Sequence, residues 1–461
     1  MTSDVNAETP VAAAGKAGAA RSLKRRTVVG GAWSMVGFGV TRALRLISNL
    51  ILVQYLAPEA FGLMSIAVSL SFGLSMMSDI GIKASVIREK EGETQAFINV
   101  AWSVQVLRNA LIASALMLGA ILLKLLGDAG ALSSASVYAD EKLPMLLAFV
   151  AGTVVIDGFV SMAPAVCARR MDYARIVTLE IIARLCAVVV TILFAINGFD
   201  IWSLAFGTLT NSVVMLVGAH LLGASPTAFS LERARRRKII NYGKWLLLAS
   251  PFGYIVAEGD IIIFGALVEK SEFGVYAVAA IWARALRSVI SVIMSKVAYP
   301  VFAEINRERP DAATRIYNKL RDLADLGTVA AYAALFVLVE PVLGLFYSGD
   351  YSNVGFYVKL TALTILLTPY DFLNSILLSG GDSKKYAFSI AASVIAMLSL
   401  TPLIYRIAGF ESAIVFAACV KVFSVPLTWW FASKRVALSP IREGRMMAAL
   451  ALGVAACLVL N

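Results

Sequence analysis

The sequence Phe-Gly-Leu-Met-Ser-Ile-Ala at residues 61–67 recurs as Phe-Gly-Val-Tyr-Ala-Val-Ala at residues 273–279, 212 positions later. The same offset relates Gly31-Ala32-Trp33 to Gly243-Lys244-Trp245, with no gap between the two matches. Chance rarely keeps one register through two matches. The chain is therefore predicted to contain two copies of one structural unit.

The regions around and between these copies are strongly apolar. Of the 461 residues, 59% are hydrophobic and 15% are charged, which is typical of membrane proteins. A helix of roughly 20 apolar residues crosses a hydrocarbon core about 30 Å thick, and the runs do not alternate as barrel strands do. The runs predict twelve transmembrane helices at 28–56, 60–81, 97–124, 143–167, 176–196, 201–222, 242–268, 272–303, 323–346, 355–379, 386–405 and 411–431.

The loop charges support this count. If the N-terminus is cytoplasmic, the cytoplasmic segments hold 26 Lys and Arg residues, and the opposite side holds only Lys124, Lys142, Lys270 and Arg406. Cytoplasmic loops carry such an excess. Twelve helices with both main ends in the cytoplasm, across a bacterial inner membrane, satisfy this rule.

The repeat divides the chain into domains. Six helices separate the two copies, so both copies cross the membrane in the same direction, and their symmetry axis lies along the membrane normal. The prediction is an all-α polytopic membrane protein with two six-helix lobes around a central cavity. Its parts are a disordered cytoplasmic tail (1–27), an N-terminal lobe (28–222), a basic linker (223–241), a C-terminal lobe (242–431) and a final segment (432–461) whose apolar run 446–460 either spans the membrane or lies on its surface.

Several basic residues fall deep inside the predicted helices. A charge at the bilayer centre costs roughly 2.5–3.5 kcal/mol even on lenient scales, so these side chains are expected to line a hydrated cavity. Arg42 and Arg45 share one helix face, as do Arg284 and Arg287. The predicted cavity residues are Arg42, Arg45, Arg108, Arg184, Arg284, Arg287 and Lys421, and the six arginines are the candidate substrate-binding residues.

The deep acidic residues are fewer: Asp157, Glu180, Glu258, Asp260 and Asp371. Glu180 either neutralises Arg184 at a spacing of four residues or has a functional role. Glu258 and Asp260 either pair with arginines across the cavity or bind a coupling proton or sodium ion. All five are candidates for ion coupling. Because basic residues exceed acidic ones, the cavity is expected to be cationic and to accept a phosphate or pyrophosphate, which guanidinium groups bind in bidentate geometry.

The sequence lacks the residues that ATP hydrolysis, metal binding or catalysis would require. The sequence has no phosphate-binding Gly-rich loop followed by Lys-Ser/Thr, so ATP hydrolysis is not expected. The four cysteines lack metal-ligand spacing, and neither a catalytic residue, a metal nor a cofactor is predicted. The cluster Arg233, Arg235, Arg236, Arg237 and Lys238 is expected to contact anionic lipids and not nucleic acid.

The sequence resembles bacterial polysaccharide flippases, the O-antigen and exopolysaccharide exporters of the multidrug/oligosaccharidyl-lipid/polysaccharide exporter superfamily, over residues 27–435. The resemblance is densest in Gly31-Ala32-Trp33-Ser34, Pro58-Glu59-Ala60-Phe61-Gly62, Ser78-Asp79-Ile80-Gly81, Ala101-Trp102-Ser103, Tyr242-Gly243-Lys244-Trp245 and Gly274-Val275-Tyr276. One departure is Ile261, which follows Gly259-Asp260 where relatives often have a basic residue, so the local partner of Asp260 is open.

The resemblance implies alternating access by two lobes that carry an undecaprenyl-pyrophosphate-linked glycan between leaflets, with cavity arginines on the pyrophosphate or on acidic sugars. It also implies a polysaccharide polymerase and a chain-length regulator as further partners. Two alternatives stay open at this point. One is a cation-coupled multidrug exporter of the same superfamily, and the other is a membrane glycan polymerase or ligase.

Overall fold

The computed structural model describes residues 10–223, 227–308, 313–379 and 382–459, and the helices there account for nearly all of the chain. The N-terminal lobe consists of α1 (Pro10–Leu52), α2 (Pro58–Met77), α3 (Ile82–Arg88), α4 (Gln95–Asp128), α5 (Lys142–Gly158), α6 (Ala163–Arg169), α7 (Tyr173–Ile196) and α8 (Ile201–Leu222). The C-terminal lobe consists of α9 (Arg233–Leu267), α10 (Lys270–Glu308), α11 (Ala313–Leu343), α12 (Val354–Ala362), α13 (Asp371–Ser379), α14 (Ser383–Cys419), α15 (Val425–Ala432) and α16 (Pro440–Val459).

The number of membrane-crossing helices agrees with the twelve predicted from the sequence when bent and interrupted helices are counted by their parts. Within the described ranges, ten helical segments are long and apolar enough to cross a membrane, and the pair α5 and α6, bent by 54°, makes an eleventh. One of the ten covers 49 residues, Lys384–Ala432, and breaks at Gly409, where φ is +82°. Glycine adopts this φ without the steric cost that a Cβ imposes. Counting that segment as two helices gives twelve.

The helix boundaries differ from the prediction at both ends of the chain. Helix α1 begins at Pro10, so residues 10–27 are helical where the sequence suggested a disordered tail, and residues 1–9 lie outside the described part. The Ala-rich stretch at 11–20 has the side chains that favour helix most. At the other end, residues 446–459 of the apolar run belong to α16, which packs against α12 and the 3-10 helix Leu363–Tyr370, and residue 460 lies outside the described part.

The two copies of the repeated sequence pack against each other. Helix α2 of the first lobe contacts α10 of the second, and the closest approach is at the glycine of each copy. A methyl group built on Gly62 would lie 3.3 Å from the Cα of Gly274, and one built on Gly274 would overlap the carbonyl of Pro58. The glycines therefore allow the backbones of the two lobes to touch, as small residues do in membrane helix pairs.

We expect Gly274→Ala to destabilise the lobe interface by about 1–3 kcal/mol, the usual cost of inserting a methyl group into close packing. The matched control is Gly119→Ala in α4, because a methyl group at that position meets no atom within 4 Å. Thermal unfolding of the purified protein measures both. Equal melting temperatures for the two variants would contradict the close contact.

Three polar contacts between the lobes lie at one end of the bundle. Lys270 and Asp140 form an ion pair of 2.9 Å, and the hydroxyl of Ser136 donates to the carbonyl of Gly265 at 3.0 Å. The hydroxyl of Tyr351 donates to the carbonyl of Leu56 at 2.6 Å. The loop charges predict that this end faces away from the cytoplasm.

The basic linker is anchored to the first lobe at the opposite end. Lys238 and Arg235 hydrogen-bond the carboxylate of Glu91 at 3.0 and 3.2 Å, and these bonds lower the pKa of Glu91. The backbone N–H of Ser230 donates to Ser103 in α4 at 2.8 Å. The linker thus follows the surface of the N-terminal lobe, and its residues from Arg233 onward form the first turns of α9.

One basic residue lies far from where the sequence analysis counted it. Arg321 was counted in a cytoplasmic loop, but in α11 its side chain has no solvent exposure. It pairs with Asp325 at 2.8 Å and with Glu443 of α16 at 3.1 Å, and its guanidinium stacks 4.3 Å from the ring centre of Tyr370. Tyr317 also hydrogen-bonds Glu443. This buried cluster joins α16 to α11.

Candidate substrate cavity

A compact ionic cluster connects α9 and α10 inside the C-terminal lobe. The guanidinium of Arg284 contacts Glu258 at 2.9 Å and both carboxylate oxygens of Asp260 at 2.8 and 2.9 Å. The hydroxyl of Tyr276, two helical turns before Arg284, also donates to Asp260. The side chains of Arg284, Glu258 and Asp260 are 30%, 19% and 13% exposed. Two carboxylates and one guanidinium make this cluster anionic by one unit.

The cluster resolves the question of the partner of Asp260. The pairing lies within one lobe, since α9 and α10 are neighbours joined by a short turn, and not across the cavity as the sequence analysis considered. Asp260 is followed in the sequence by Ile261 and not by a basic residue. Its basic partner is Arg284, 24 residues later. Tyr276 was not proposed as a site residue. Its position in the repeated segment is the one sequence signal that pointed to it.

Arg45 faces this cluster from the other lobe. It is exposed, and its charge interacts with Arg42 and Arg184 of its own lobe and with Arg284 and Glu258 of the opposite lobe. Arg45 therefore points into the space between the lobes. Arg45 thus connects two groups of charges, the basic side chains of Arg42 and Arg184 in its own lobe and the ionic cluster of the other lobe.

Arg108 has a different role from the one predicted. Its Nε donates to the carbonyl and the hydroxyl of Ser78 at 3.0 and 3.1 Å, and its Nη2 donates to the carbonyl of Ser75. These groups belong to the C-terminal end of α2, where the last carbonyls lack helical partners and the helix dipole attracts cations. The structure therefore uses Arg108 to cap a helix.

Arg287 lies one turn beyond Arg284 and lines a second cavity, within the C-terminal lobe. This side cavity has a volume of about 440 Å³ and contains Asp371 and Lys421, which form an ion pair of 3.0 Å. Asp371 therefore has a basic partner, as Glu258 and Asp260 do. A smaller cavity of about 40 Å³ is lined by Asp260 and Arg284 of the ionic cluster and by Arg287 and Lys421, which also line the side cavity.

The two remaining acidic candidates lie in the N-terminal lobe. Asp157 and Glu180 are both exposed, and both interact electrostatically with Lys83. In the part of the chain that the structure describes, no ion pair joins Glu180 to Arg184, so the neutralisation considered from their spacing is not observed. Lys83 is a further residue that the sequence analysis assigned only to a loop.

Comparison with known proteins identifies the family. A family model described as "Polysaccharide biosynthesis protein" matches residues 51–355. The chain is similar to the succinoglycan biosynthesis transport protein ExoT of Rhizobium meliloti, with 22% identity over 73% of this chain and 66% of that protein. It is also similar to the lipopolysaccharide biosynthesis protein WzxC of Escherichia coli, with 21% identity over 75% and 68% of the two chains. The matched region thus spans about two thirds of each relative.

Solved structures share the fold. The lipid II flippase MurJ in an inward closed conformation has a TM-score of 0.67 at 13% identity, covering 93% of this chain and 91% of that chain. An inward-facing multidrug resistance transporter of the MATE family has a TM-score of 0.65 at 14% identity, covering 88% and 95%. Both are transporters with two lobes, as predicted here. The chain is a multi-pass membrane protein that belongs to the polysaccharide biosynthesis protein family.

Proposed function

We propose that this chain is a flippase that moves a polyprenyl-pyrophosphate-linked oligosaccharide across the bacterial inner membrane for polysaccharide biosynthesis, by alternating access of its two lobes. The observation that carries the proposal is the cationic space around Arg42, Arg45 and Arg184, opposite the Arg284 cluster. Guanidinium groups bind the oxygens of a pyrophosphate in bidentate geometry. The relatives, a transport protein for succinoglycan biosynthesis and a lipopolysaccharide biosynthesis protein, agree with this substrate class.

In this mechanism the protein binds the substrate and its two lobes move, and no covalent bond is made or broken. The polar head group enters the space between the lobes while the polyprenyl tail stays in lipid, which spares the head group the cost of crossing hydrocarbon. The contacts Lys270–Asp140, Ser136–Gly265 and Tyr351–Leu56 then break to open the far side. In this proposal both main ends are cytoplasmic, and a polymerase and a chain-length regulator receive the product.

Ion coupling is assigned to the N-terminal lobe. Glu258, Asp260 and Asp371 are ion-paired, whereas Asp157 and Glu180 are exposed carboxylates that form no ion pair among the described residues and interact with the charge of Lys83. A proton or sodium ion binds most readily to a carboxylate whose charge is not already neutralised. We therefore place the coupling ion at Asp157 and Glu180.

A multidrug exporter is the alternative that the shared fold leaves open. Cationic drugs require an acidic, aromatic cavity, and the three arginines beside Arg284 would repel them. An enzyme is disfavoured because the succinoglycan relative is named a transport protein and matches 73% of this chain. The charge of the central space thus favours an anionic cargo.

The test measures which leaflet holds the lipid-linked glycan in cells that lack this protein. We expect the glycan to accumulate on the cytoplasmic leaflet and a wild-type copy to clear it, whereas an Arg45→Ala copy fails because its guanidinium faces the cargo. The matched control is Arg406→Ala, which changes an exposed arginine that is predicted to lie on the non-cytoplasmic side. We expect a copy with this substitution to restore transport. Glycan that reaches the outer leaflet without the protein would overturn the proposal. Repeating the assay in vesicles with and without an ion gradient tests the coupling assignment.

A further inference from the structure

Helices α5 and α6 are two parts of one predicted transmembrane segment, 143–167, and they meet at a bend of 54°. The bend lies at residues 159–162, inside that segment. Pro164 has no N–H, so the carbonyl of Val160 lacks the donor that a continuous helix would supply. Carbonyls at such a break are costly within a membrane unless other groups donate to them. The break therefore depends on donors from neighbouring helices.

One face of α4 supplies these donors. The side-chain amide of Gln105 donates to the carbonyl of Gly158 at 3.1 Å and to that of Val160 at 2.9 Å. The indole N–H of Trp102, three residues earlier, donates to the carbonyl of Phe159 at 3.2 Å. Gln105 is only 8% exposed, so its amide serves these carbonyls and not solvent. Two side chains of α4 thus bind three consecutive carbonyls of the break.

The charged groups around the proposed coupling site belong to different helices. Asp157 is the last residue but one of α5, and its carboxylate lies beside the hydroxyl of Ser212 in α8. Lys83 belongs to α3, and its charge interacts with Asp157 and with Glu180 of α7. Asp157 therefore moves with α5, whereas Lys83 moves with α3.

Helix α3 is attached to α6, beyond the break. The guanidinium of Arg169 in α6 donates to the carbonyls of Val86 and Ile87 in α3 at 3.0 and 2.8 Å. These bonds join the two short helices into one unit. The angle between α5 and α6 therefore sets how far this unit, which carries Lys83, lies from Asp157.

We propose that Gln105 is a positioning residue for the coupling ion. Its amide binds the last residue of α5 and a residue beyond it, so it fixes the angle of the break and with it the distance from Lys83 to Asp157. A monovalent cation, a proton or sodium, competes with the ammonium of Lys83 for the carboxylate, so this distance sets the ion affinity. The proposal rests on the assignment of ion coupling to Asp157 in the proposed function, and it adds a residue that contacts neither ion nor cargo.

The experiment measures labelling of Asp157 by dicyclohexylcarbodiimide, a reagent for protonated carboxyl groups in membranes, on the full-length protein in lipid nanodiscs. Titrations with protons and with sodium each give the ion concentration at which labelling is half-maximal. Gln105→Met has a similar length but no donor. Because Lys83 is exposed, we expect it to move into solvent in this variant, so that Asp157 binds its ion more tightly. The midpoint concentration of the coupling ion should fall about tenfold, the effect of moving a neighbouring unit charge by about 2 Å at close range.

Asn109→Leu is the matched control. The side-chain amide of Asn109 also donates from α4 to a carbonyl of α5, that of Val154 at 3.0 Å, but this carbonyl precedes the break by a full turn. We expect Asn109→Leu to lower the melting temperature, as Gln105→Met does, and to leave the labelling midpoints at their wild-type values. A merely structural role of the α4 amides would give both variants the same midpoints.

A second variant keeps the test decisive if Gln105→Met fails to fold. Trp102→Phe removes the donor to the carbonyl of Phe159 and keeps an aromatic ring beside that residue, and we expect its midpoint to shift in the same direction. Wild-type midpoints in a folded Gln105→Met variant, or in Trp102→Phe in its place, overturn the proposal. Labelling of wild-type Asp157 that neither protons nor sodium change would also overturn it, by removing the coupling site. Failure of the flippase proposal shows instead in the leaflet assay, which does not depend on this labelling.

Discussion

Replacing Arg284 with glutamine is expected to abolish transport and to destabilise the C-terminal lobe, because the change leaves Glu258 and Asp260 without their cation. Removing one partner of a buried ion pair costs about 3–5 kcal/mol, since the remaining charge stays in a medium of low dielectric constant. Here two carboxylates, 19% and 13% exposed, lose the same guanidinium. Repulsion between them adds to the loss.

A neutral triple variant separates stability from transport. Arg284→Gln combined with Glu258→Gln and Asp260→Asn keeps the side-chain shapes and removes all three charges. We expect it to recover most of the wild-type melting temperature, because no charge is left unpaired, but to remain inactive in the leaflet assay. Wild-type transport by the triple variant would show that the ionic cluster only holds α9 against α10.

The second prediction is a large loss of protein stability that leaves transport unchanged. Glu443→Ala is expected to lower the free energy of unfolding by about 3–5 kcal/mol, because Arg321 is fully buried and loses one of its two carboxylates. The cluster connects α11 and α16 and includes none of the residues that face the central space. Transport per folded molecule should therefore stay close to wild type.

The same helix provides the matched control. Arg442 and Arg445 pair with Asp322 at 3.0 and 2.9 Å, but Asp322 is 45% exposed. Exposed ion pairs contribute about 0–1 kcal/mol, so Arg442→Gln should leave the melting temperature nearly unchanged. Equal effects of Glu443→Ala and Arg442→Gln on thermal unfolding would contradict a structural role for the buried cluster.

The membrane fold was largely predictable because its signals are local. The length of the apolar runs predicted the helices, and the charge of the loops remains a prediction of their orientation. The repeated Phe-Gly pattern also predicted two related lobes, although it did not predict that Gly62 and Gly274 touch. That contact depends on how the lobes pack, which a match between two segments does not contain.

The site was predictable only in part because hydropathy places a residue along a helix but not around it. Arg45 and Arg108 have similar sequence contexts, yet Arg45 faces the central space and Arg108 caps α2. Arg321 was missed for a related reason. Charged residues near a helix end look like loop residues, and its partner Glu443 is 122 positions away.

The contact between Gly62 and Gly274 also constrains how the lobes move. The backbones of the two lobes approach each other directly at this point, so we expect the lobes to rotate about it when the opposite end opens. Arg287, which lines the side cavity, lies 13 residues along α10 from Gly274. At about 1.5 Å per residue this distance is roughly 20 Å. A tilt of about 15° then displaces groups at that distance by roughly 5 Å, about one helical turn. A pivot near one face of the membrane would give the largest opening at the other face.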